Sequence, residues 1–360
     1  MIKRDTPSMS ELEDRLRGAW QGRVSGCMLG KAVEAFSMTS GHESLMEYLG
    51  GVDALPLRDY IPLAEDPPPL LFEPCCRGRI EVSSPDDDIN YSVLALEMLE
   101  KHGADLSTED VAREWINKLP AGMTFTAERA AYRALLAHAH EYFSMGAAPG
   151  FDLALCSDNE YNDWIGAQIR ADLYGWVNPG NPEQAVRLAR ADAALSHRGD
   201  GVHGAVIVAG WGAAIPESES LEVALDRATH FIPDDSGAAR AVELGRRVAL
   251  EGRGADEIHE AYADLSPLHT NNNLALVVWA LLSHAEDFGA AIGDVVAAGW
   301  DTDCNGATVG ALWAMQGEPV PAHWCDPWQE RVGVSLAGQG ELVLGDLVAR
   351  TVRVAEALAV

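Results

Sequence analysis

The chain has 360 residues, of which 48% are hydrophobic and 22% are charged, so a large buried core is available. Lys and Arg number 26 against 55 Asp and Glu, which gives a formal net charge of −29 at pH 7. Because such a surface repels phosphate backbones and anionic lipid, we expect it to bind neither nucleic acid nor a membrane.

The first residues, MIKRDTPSMSELEDRLRG, contain no apolar segment of the kind found in signal peptides. No run in the chain approaches the roughly 20 apolar residues that a membrane span needs. Six cysteines are present and none forms a C-x-x-C pair, so a reducing cytoplasm fits best. The sequence does not indicate the oligomeric state.

The first predicted element is a helix from Ser10 to about Val33, for which Ser10 is the capping residue. Its second half, Gly22–Glu34, alternates small and apolar residues (GRVSGCMLGKAVE). That pattern suits a helix packed closely against another backbone, or a turn that brings Glu34 close to another group. Residues 50–82 are rich in proline and are predicted to be irregular.

After Asp88 the pattern is helical almost to the C-terminus, and several helices are preceded by capping residues such as Ser107, Asn181, Ser218 and Asp287. The predicted helices are Asn90–Gly103, Ser107–Leu119, Thr126–His140, Trp164–Tyr174, Pro182–Leu195, Val202–Ile215, Ser220–Phe231, Ala238–Glu251, Ala255–Asp264, Asn272–Ala285 and Phe288–Ala298.

Convincing strands are scarce. The segment ELVLGDLVARTVRV near the C-terminus contains β-branched residues, but its spacing is equally helical. No solenoid period is present. The sequence therefore predicts an all-α protein that forms one compact domain over residues 1–360.

Three consecutive aspartates, Asp86, Asp87 and Asp88, stand directly before an apolar helical run in the segment PDDDIN. Aspartates at a helix start can accept hydrogen bonds from free N–H groups and match the helix dipole. Adjacent carboxylates also repel each other, and a bound cation would neutralise that repulsion. Taken alone, this stretch is compatible with both interpretations, helix capping and cation binding.

A second acidic pair favours the cation site. Asp301 and Asp303 open the segment GWDTDCNGATVGAL, in which Gly306, Ala307 and Gly310 allow another group to approach the backbone. Oxygen-only ligation suits Mg²⁺, Mn²⁺ or Ca²⁺ rather than zinc. Five aspartates exceed the needs of one Mg²⁺, so we expect two ions, with Mn²⁺ as an alternative. The predicted metal ligands are Asp86, Asp87, Asp88, Asp301 and Asp303.

Four motifs in order, GRVSGCMLGKAVE, PDDDINYSVLALEML, LSHRGDGVHGA and GWDTDCNGATVGAL, resemble those of the ADP-ribosylglycohydrolase family. The resemblance extends from about Gly18 to Thr351 and implies a compact orthogonal multi-helix domain with a two-magnesium centre. It places Asp87 and Asp88 on the two aspartates of the family's Thr-Asp-Asp-Thr motif, and Glu34 on a glutamate near the metals.

Three positions depart from the family pattern. Asp86 and Ile89 stand where the family has the two threonines, and Cys304 replaces a hydroxyl residue. A neutral thiol is a poor Mg²⁺ ligand, and a cysteine here is also readily explained as a small buried apolar residue. These changes leave one metal site stronger and the other weaker than usual.

The resemblance also implies a substrate-binding segment, Ser196–Gly201, that approaches the ribose or the phosphates. Ser196, His197 and Gly201 are candidates there, although His197 on spacing alone is a structural cap. Asn90 and Asn305 flank the carboxylates and are either sugar-binding groups or caps. Trp300, beside Asp301, is predicted to line the pocket. These candidates are Ser196, His197, Gly201, Asn90, Asn305 and Trp300.

The predicted chemistry is hydrolysis of an N- or O-glycosidic bond at the anomeric carbon of an ADP-ribosyl group, with Glu34 or Asp87 as general base. The substrate would be an ADP-ribosylated or ribosylated small molecule or protein. Two alternatives stay open. One is hydrolysis of a small ribosylated metabolite or nucleoside on the same fold, and the other is a catalytically silent ligand-binding member of the family.

Overall fold

A computed structural model describes residues 9–138 and 151–359 of the chain. Its described residues form sixteen α-helices and one two-stranded antiparallel sheet, so the all-α prediction is confirmed. The helices are α1 Met9–Lys31, α2 Glu34–Gly51, α3 Asp87–His102, α4 Thr108–Lys118, α5 Thr126–Ala137, α6 Asp172–Trp176, α7 Pro182–Ala193, α8 Gly199–Ala214, α9 Leu221–Thr229, α10 Gly237–Leu250, α11 Asp256–Ala261, α12 Thr270–Ser283, α13 Phe288–Ala297, α14 Thr302–Ala314, α15 Ala322–Cys325 and α16 Leu344–Leu358.

The sheet is small: β1 is Arg331–Gly333 and β2 is Glu341–Val343, with Val332 opposite Leu342. Short 3₁₀ turns connect the helices at Glu73–Cys75, Gly103–Asp105, Ala121–Met123, Leu153–Leu155, Ile165–Arg170, Ile215–Glu217 and Asp326–Trp328. One hydrophobic core extends through buried residues from Leu12 to Ala355. No helix in the described part of the chain is both long and apolar enough to cross a membrane.

Two predictions need correction, and one helix was not predicted. The segment Trp164–Tyr174 is not one helix but a 3₁₀ turn, Ile165–Arg170, followed by α6. The cap of α9 is Ser220, whose hydroxyl accepts from the N–H of Val223, and not Ser218. Helix α2 was not predicted, because it is bent at Gly41 (φ +83°) and has weak periodicity. The last two residues of the predicted helix Thr126–His140, and residues 1–8 of the N-terminal segment, lie outside the described residues.

The closest packing in the fold joins α1 to α14, which run antiparallel. Glycines recur at every fourth position of α1, and each faces a small residue or a backbone segment of α14. A Cβ placed on Gly26 would lie 2.0 Å from the carbonyl oxygen of Gly306, and one on Gly22 would lie 2.1 Å from that of Gly310. The group that approaches Gly306 and Gly310 is therefore helix α1, so these glycines serve helix packing rather than ligand access.

Candidate metal centre

The three consecutive aspartates at the start of α3 have three different environments. Asp86 is the N-cap: its Oδ1 accepts a hydrogen bond from the N–H of Asp88 at 2.9 Å, and its Oδ2 pairs with the ammonium of Lys31. Asp88 is buried and pairs with the guanidinium of Arg23 at 3.1 Å. Asp87 lines a cavity, and no ion pair to it is found among the described residues. Helix α1 thus compensates two of the three charges.

Asp301 and Asp303 lie at the start of α14, as predicted, and both are buried. Asp301 occupies the N-cap position, but its side chain makes no capping hydrogen bond. The hydroxyl of Thr302 donates to the carbonyl of Gly30 at 2.8 Å and so fixes the start of α14 against the end of α1. Because α2 begins three residues after α1 ends, Glu34 is brought to the same place.

The carboxylates meet in two groups that share one residue. Ligand atoms of Glu34, Asp301 and Asp303 lie within 4.8 Å of one another, and so do those of Asp88, Asp303 and Cys304. Together with Asp86 and Asp87, these acidic residues are called the carboxylate cluster below. Its members come from the starts of α2, α3 and α14, so the two acidic motifs are brought together by the contact of α1 with α14.

The donor set fits a divalent cation. Three buried carboxylate oxygens, Oδ2 of Asp88, Oδ1 of Asp301 and Oδ1 of Asp303, have no hydrogen-bond partner. Leaving such oxygens unpaired in the interior is costly, and a bound cation removes that cost. The six carboxylates of the cluster against the two cationic side chains Arg23 and Lys31 also leave an excess of negative charge that a cation would neutralise.

Protonation of the metal-free cluster reflects the same crowding. Burial, then neighbouring carboxylates, raises the pKa of Glu34, Asp87 and Asp301 well above the ordinary value. Burial also raises the pKa of Asp88 and Asp303, despite the nearby cations. Burial opposes ionisation of Asp86 as well, but Lys31 and the N–H of Asp88 outweigh it and hold the pKa of Asp86 below its usual range. A cation placed among these acids would relieve their mutual repulsion.

A cavity of about 220 Å³ opens beside the cluster. Its acidic side is formed by four cluster residues, and the rest of its wall is mainly apolar with one further acid, Glu128. The lining residues are Lys31, Glu34, Met38, Asp86, Asp87, Met123, Phe125, Thr126, Glu128, Ile165, Gly166, Ile169, Leu268, Asp301 and Cys304. The arrangement suits a small polar group held at the acidic side and an apolar group against the remaining wall.

Comparison with known proteins agrees with this geometry. The sequence model of the family described as ADP-ribosylglycohydrolase matches residues 8–356. The chain belongs to the ADP-ribosylglycohydrolase family. Among solved structures, it is similar to a chain of an "ADP-ribosylglycohydrolase-related protein complex", with a TM-score of 0.59 and 18% identity over 97% of this chain and 99% of that one. No curated protein sequence matches the chain.

Family membership confirms the resemblance inferred from the motifs and gives the general class of enzyme. ADP-ribosylglycohydrolases hydrolyse glycosidic bonds of ADP-ribosyl groups, and the family is generally metal-dependent. The similar solved structure supports the fold alone. Family membership does not specify the bond, the leaving group or the metal ion.

In this member of the family, the predicted motif Ser196–Gly201 lies behind the cavity wall. The ring of His197 is buried, with Nδ1 2.8 Å from the hydroxyl of Ser196 and Nε2 3.7 Å from Oε1 of Glu128. Burial, then the charge of Arg170, holds the pKa of His197 well below its usual range. Gly201 packs against the loop at Asn162, whose carbonyl oxygen would lie 2.3 Å from a Cβ on Gly201. None of the three predicted residues is among those that line the cavity.

The other predicted substrate residues also make structural contacts. Asn90 accepts from the N–H of Ser335 at 2.8 Å, and Asn305 donates to Oδ1 of Asn273 at 2.7 Å. Trp300 has φ +58° and its ring packs 4.1 Å from that of His259. None of these three is among the lining residues of the cavity either. Their assignment to substrate binding stays a prediction.

The sequence analysis missed several residues that complete the site. Glu128 faces the cavity with its Oε1 held by Arg170 at 2.6 Å, and Arg170 also binds Asp192 at 2.7 Å. Arg23 and Lys31 were not singled out, although a charged residue in a helix of glycines and apolar residues is itself a signal. Their partners lie 65 and 55 residues away in sequence.

Proposed function

We propose that this protein is a metal-dependent hydrolase that cleaves an N- or O-glycosidic bond at the anomeric carbon of an ADP-ribosyl group. One observation carries the proposal: the three unpartnered carboxylate oxygens of Asp88, Asp301 and Asp303 lie buried beside a cavity in a member of the ADP-ribosylglycohydrolase family. Buried carboxylate oxygens without partners are costly to the fold, and a bound divalent cation, of the kind this generally metal-dependent family uses, would remove that cost.

Glu34, Asp88, Asp301 and Asp303 would hold the cations, with Asp303 common to both groups. When bound, Mg²⁺ or Mn²⁺ would supply positive charge that anchors ribose hydroxyls and activates water. Asp86 is already engaged by Lys31 and by the N–H of Asp88, so its contribution is to fix the start of α3.

Glu34 and Asp87 are the proposed general bases. Both carboxylates line the cavity, and both are only half-buried, so either can reach a water molecule beside a bound sugar. One of them would accept the proton of the attacking water as the water oxygen bonds to the anomeric carbon. The C–N or C–O glycosidic bond would break in the same reaction, and the leaving group would take up a proton from solvent.

A smaller ribosyl substrate is a second candidate, favoured by the charges of the cavity. Lys31 is the one cationic side chain among the described lining residues, and it is paired with Asp86. A diphosphate therefore finds no free cation in this wall. A cavity of about 220 Å³ with an apolar side would instead accept a nucleoside or another small riboside.

We also propose that the protein works in a reducing compartment such as the cytoplasm. All six cysteines lie in described residues, all are buried, and none is in a disulfide. This supports, without testing, the location expected from the cysteine pattern.

The first experiment is calorimetric titration of Mg²⁺ and Mn²⁺ into the metal-free protein, with and without ADP-ribose. It is followed by turnover assays on peptides ADP-ribosylated at arginine or serine and on free nucleosides. Two-site metal binding tightened by ADP-ribose, with release of ADP-ribose from a peptide, supports the main proposal. Metal binding indifferent to ADP-ribose, with turnover of a nucleoside, supports the second candidate. A folded protein that binds no metal would exclude both.

A further inference from the structure

Two groups of candidate ligands share Asp303 but differ in donor type, because only one of them contains a thiol. Glu34, Asp301 and Asp303 form an all-oxygen group, called here the oxygen position. Asp88, Asp303 and Cys304 form a second group that contains a thiol, called here the thiol position. The two positions share Asp303, so a cation in one lies next to a cation in the other.

Cys304 is not placed as an ordinary apolar core residue. It is buried at 6% exposure, yet its hydrophobic contacts are confined to Ile165 and Ile169, in a small group apart from the main core. Its sulfur lies within 4.8 Å of ligand atoms of Asp88 and Asp303, and the residue lines the cavity together with Asp87 and Asp301. The thiol thus lies where an apolar contact on one side meets two candidate carboxylate ligands on the other.

Two unpartnered carboxylate oxygens lie at the thiol position and suit a cation. Arg23 holds Oδ1 of Asp88 at 3.1 Å, and the other oxygen, Oδ2, is buried without a partner. Oδ1 of Asp303 is likewise buried and unpartnered. Ligand atoms of these two carboxylates and of the Cys304 thiol lie within 4.8 Å of one another, close enough to bind one cation together.

A second thiol lies nearby but is less suited to bind a cation. Cys27, from α1, forms a group with Asp86 and Asp88. Both oxygens of Asp86 are already engaged, one by Lys31 and one by the N–H of Asp88. A cation there would have to displace the ammonium of Lys31. Cys27 is therefore a matched control: a buried thiol against the same Asp88, without a free donor set.

We infer that Cys304 binds a metal ion as a thiolate, so that the thiol position selects a borderline cation such as Fe²⁺ or Zn²⁺ over Mg²⁺, while the oxygen position takes Mg²⁺. The inference rests on the proposed metal dependence and adds the chemical class of the second ion. On binding, the S–H bond of Cys304 breaks, the sulfur–metal bond forms, and the proton passes to solvent. Thiolate ligands favour softer cations, whereas all-oxygen sites suit Mg²⁺.

The test uses Co²⁺ as a spectroscopic probe added to the metal-free, full-length protein. A thiolate bound to Co²⁺ gives a charge-transfer band in the near ultraviolet, which oxygen ligands do not give. We expect the band in the wild-type protein and in Cys27→Ser, and its loss in Cys304→Ser. The Zn²⁺:Mg²⁺ affinity ratio, measured by competition, should fall roughly 10- to 100-fold in Cys304→Ser, an effect no smaller than that of outer-shell changes at metal sites. Circular dichroism confirms that each variant is folded.

Three results would overturn the inference. They are Co²⁺ binding without the band, persistence of the band in Cys304→Ser, and loss of the band only in Cys27→Ser. Co²⁺ bound in stoichiometric amount without the band leaves the proposed metal-dependent hydrolase intact and removes only the thiolate. No binding of Co²⁺ or Mg²⁺ by the folded protein removes the proposed function as well, so the two failures are distinguishable.

Discussion

Gly26 and Gly306 lie in direct backbone contact: a Cβ on Gly26 would stand 2.0 Å from the carbonyl oxygen of Gly306, and a Cβ on Gly306 would stand 2.4 Å from that of Gly26. No other residue type fits at either position without moving a helix. Because α1 ends beside the start of α14, this contact also sets the separation of Glu34 from Asp303. Helix packing and the assembly of the carboxylate cluster are thus one feature of the fold.

The first prediction is that Gly26→Ala destabilises the protein by roughly 1–3 kcal/mol, because the added methyl must push α1 away from α14. Separation of the two helices should also weaken Mg²⁺ binding. Gly18→Ala is the control, because its Cβ would lie 3.4 Å from that of Ala314, an ordinary contact. Denaturant unfolding and calorimetry measure both effects. Equal stability and metal affinity in the two variants would contradict the packing argument.

The second prediction concerns Asp301→Asn, which keeps the shape of the side chain and removes its charge. Mg²⁺ affinity and turnover should be lost, while the metal-free protein becomes more stable because a repelled, buried carboxylate is gone. Asp158→Asn is the control, since that side chain is 69% exposed. Thermal melts with and without Mg²⁺ decide the matter. A fall in metal-free stability with unchanged metal affinity would make Asp301 a structural residue instead.

The third prediction is a proton release on metal binding. The pKa values of Glu34, Asp87, Asp88, Asp301 and Asp303 are raised in the metal-free fold, so a part of these groups carries protons that a cation must displace. Mg²⁺ affinity should therefore rise with pH. Titrations in two buffers of different ionisation enthalpy measure the protons released, and identical heats in both would exclude the effect.

The free energy of unfolding of the metal-free protein should fall as the pH rises, whereas its Mg²⁺ affinity rises. Groups with a raised pKa in the folded state stabilise it below their unfolded pKa of about 4, and that contribution is lost as the pH rises. Asp86, whose pKa is lowered, contributes to stability with the opposite pH dependence. The five carboxyl groups with a raised pKa outnumber it. Removal of metal by a chelator at neutral pH should therefore cost more stability than the same removal at pH 5.

The fourth prediction concerns Arg170, whose buried guanidinium binds both Glu128 and Asp192. Arg170→Met leaves two buried carboxylates without a cation and should cost about 3–5 kcal/mol of unfolding free energy. Arg198→Met is the control, because the Arg198–Asp158 pair is exposed and worth about 0–1 kcal/mol. A loss below that of the control would show that Arg170 does not compensate Glu128.

The sequence sufficed to find the acidic motifs because their signals are local. Asp301 and Asp303 stand at the start of a helix of small residues, and Asp86–Asp88 follow a proline at the start of another. Each pattern can be recognised within a dozen residues. The pairing of Asp88 with Arg23 could not be derived in this way, because it depends on which face of α1 meets α3.

The failures have a common physical cause, which is tertiary contact overriding local preference. Residues 165–170 are all buried, and a Cβ on Gly166 would lie 2.0 Å from Oε1 of Glu128, so the chain tightens into a 3₁₀ turn where a regular helix was predicted. His197 is drawn behind the wall by Ser196 and Glu128 rather than into the cavity. Neither the 3₁₀ turn nor the position of His197 can be predicted from the spacing of residues in the sequence nearby.

The antiparallel contact of α1 with α14 has a consequence for synthesis of the protein. The hydroxyl of Thr302 and the carbonyl of Gly30, which it binds, are 272 residues apart in the chain. During translation, α1 is synthesised before α14, so its row of glycines has no packing partner until the residues of α14 follow. Closure of so long a loop is slow. Until it happens, the proposed metal ligands on α2 and α3 are separated from those on α14. Metal uptake in a cell-free translation reaction should therefore begin only after α14 has left the ribosome.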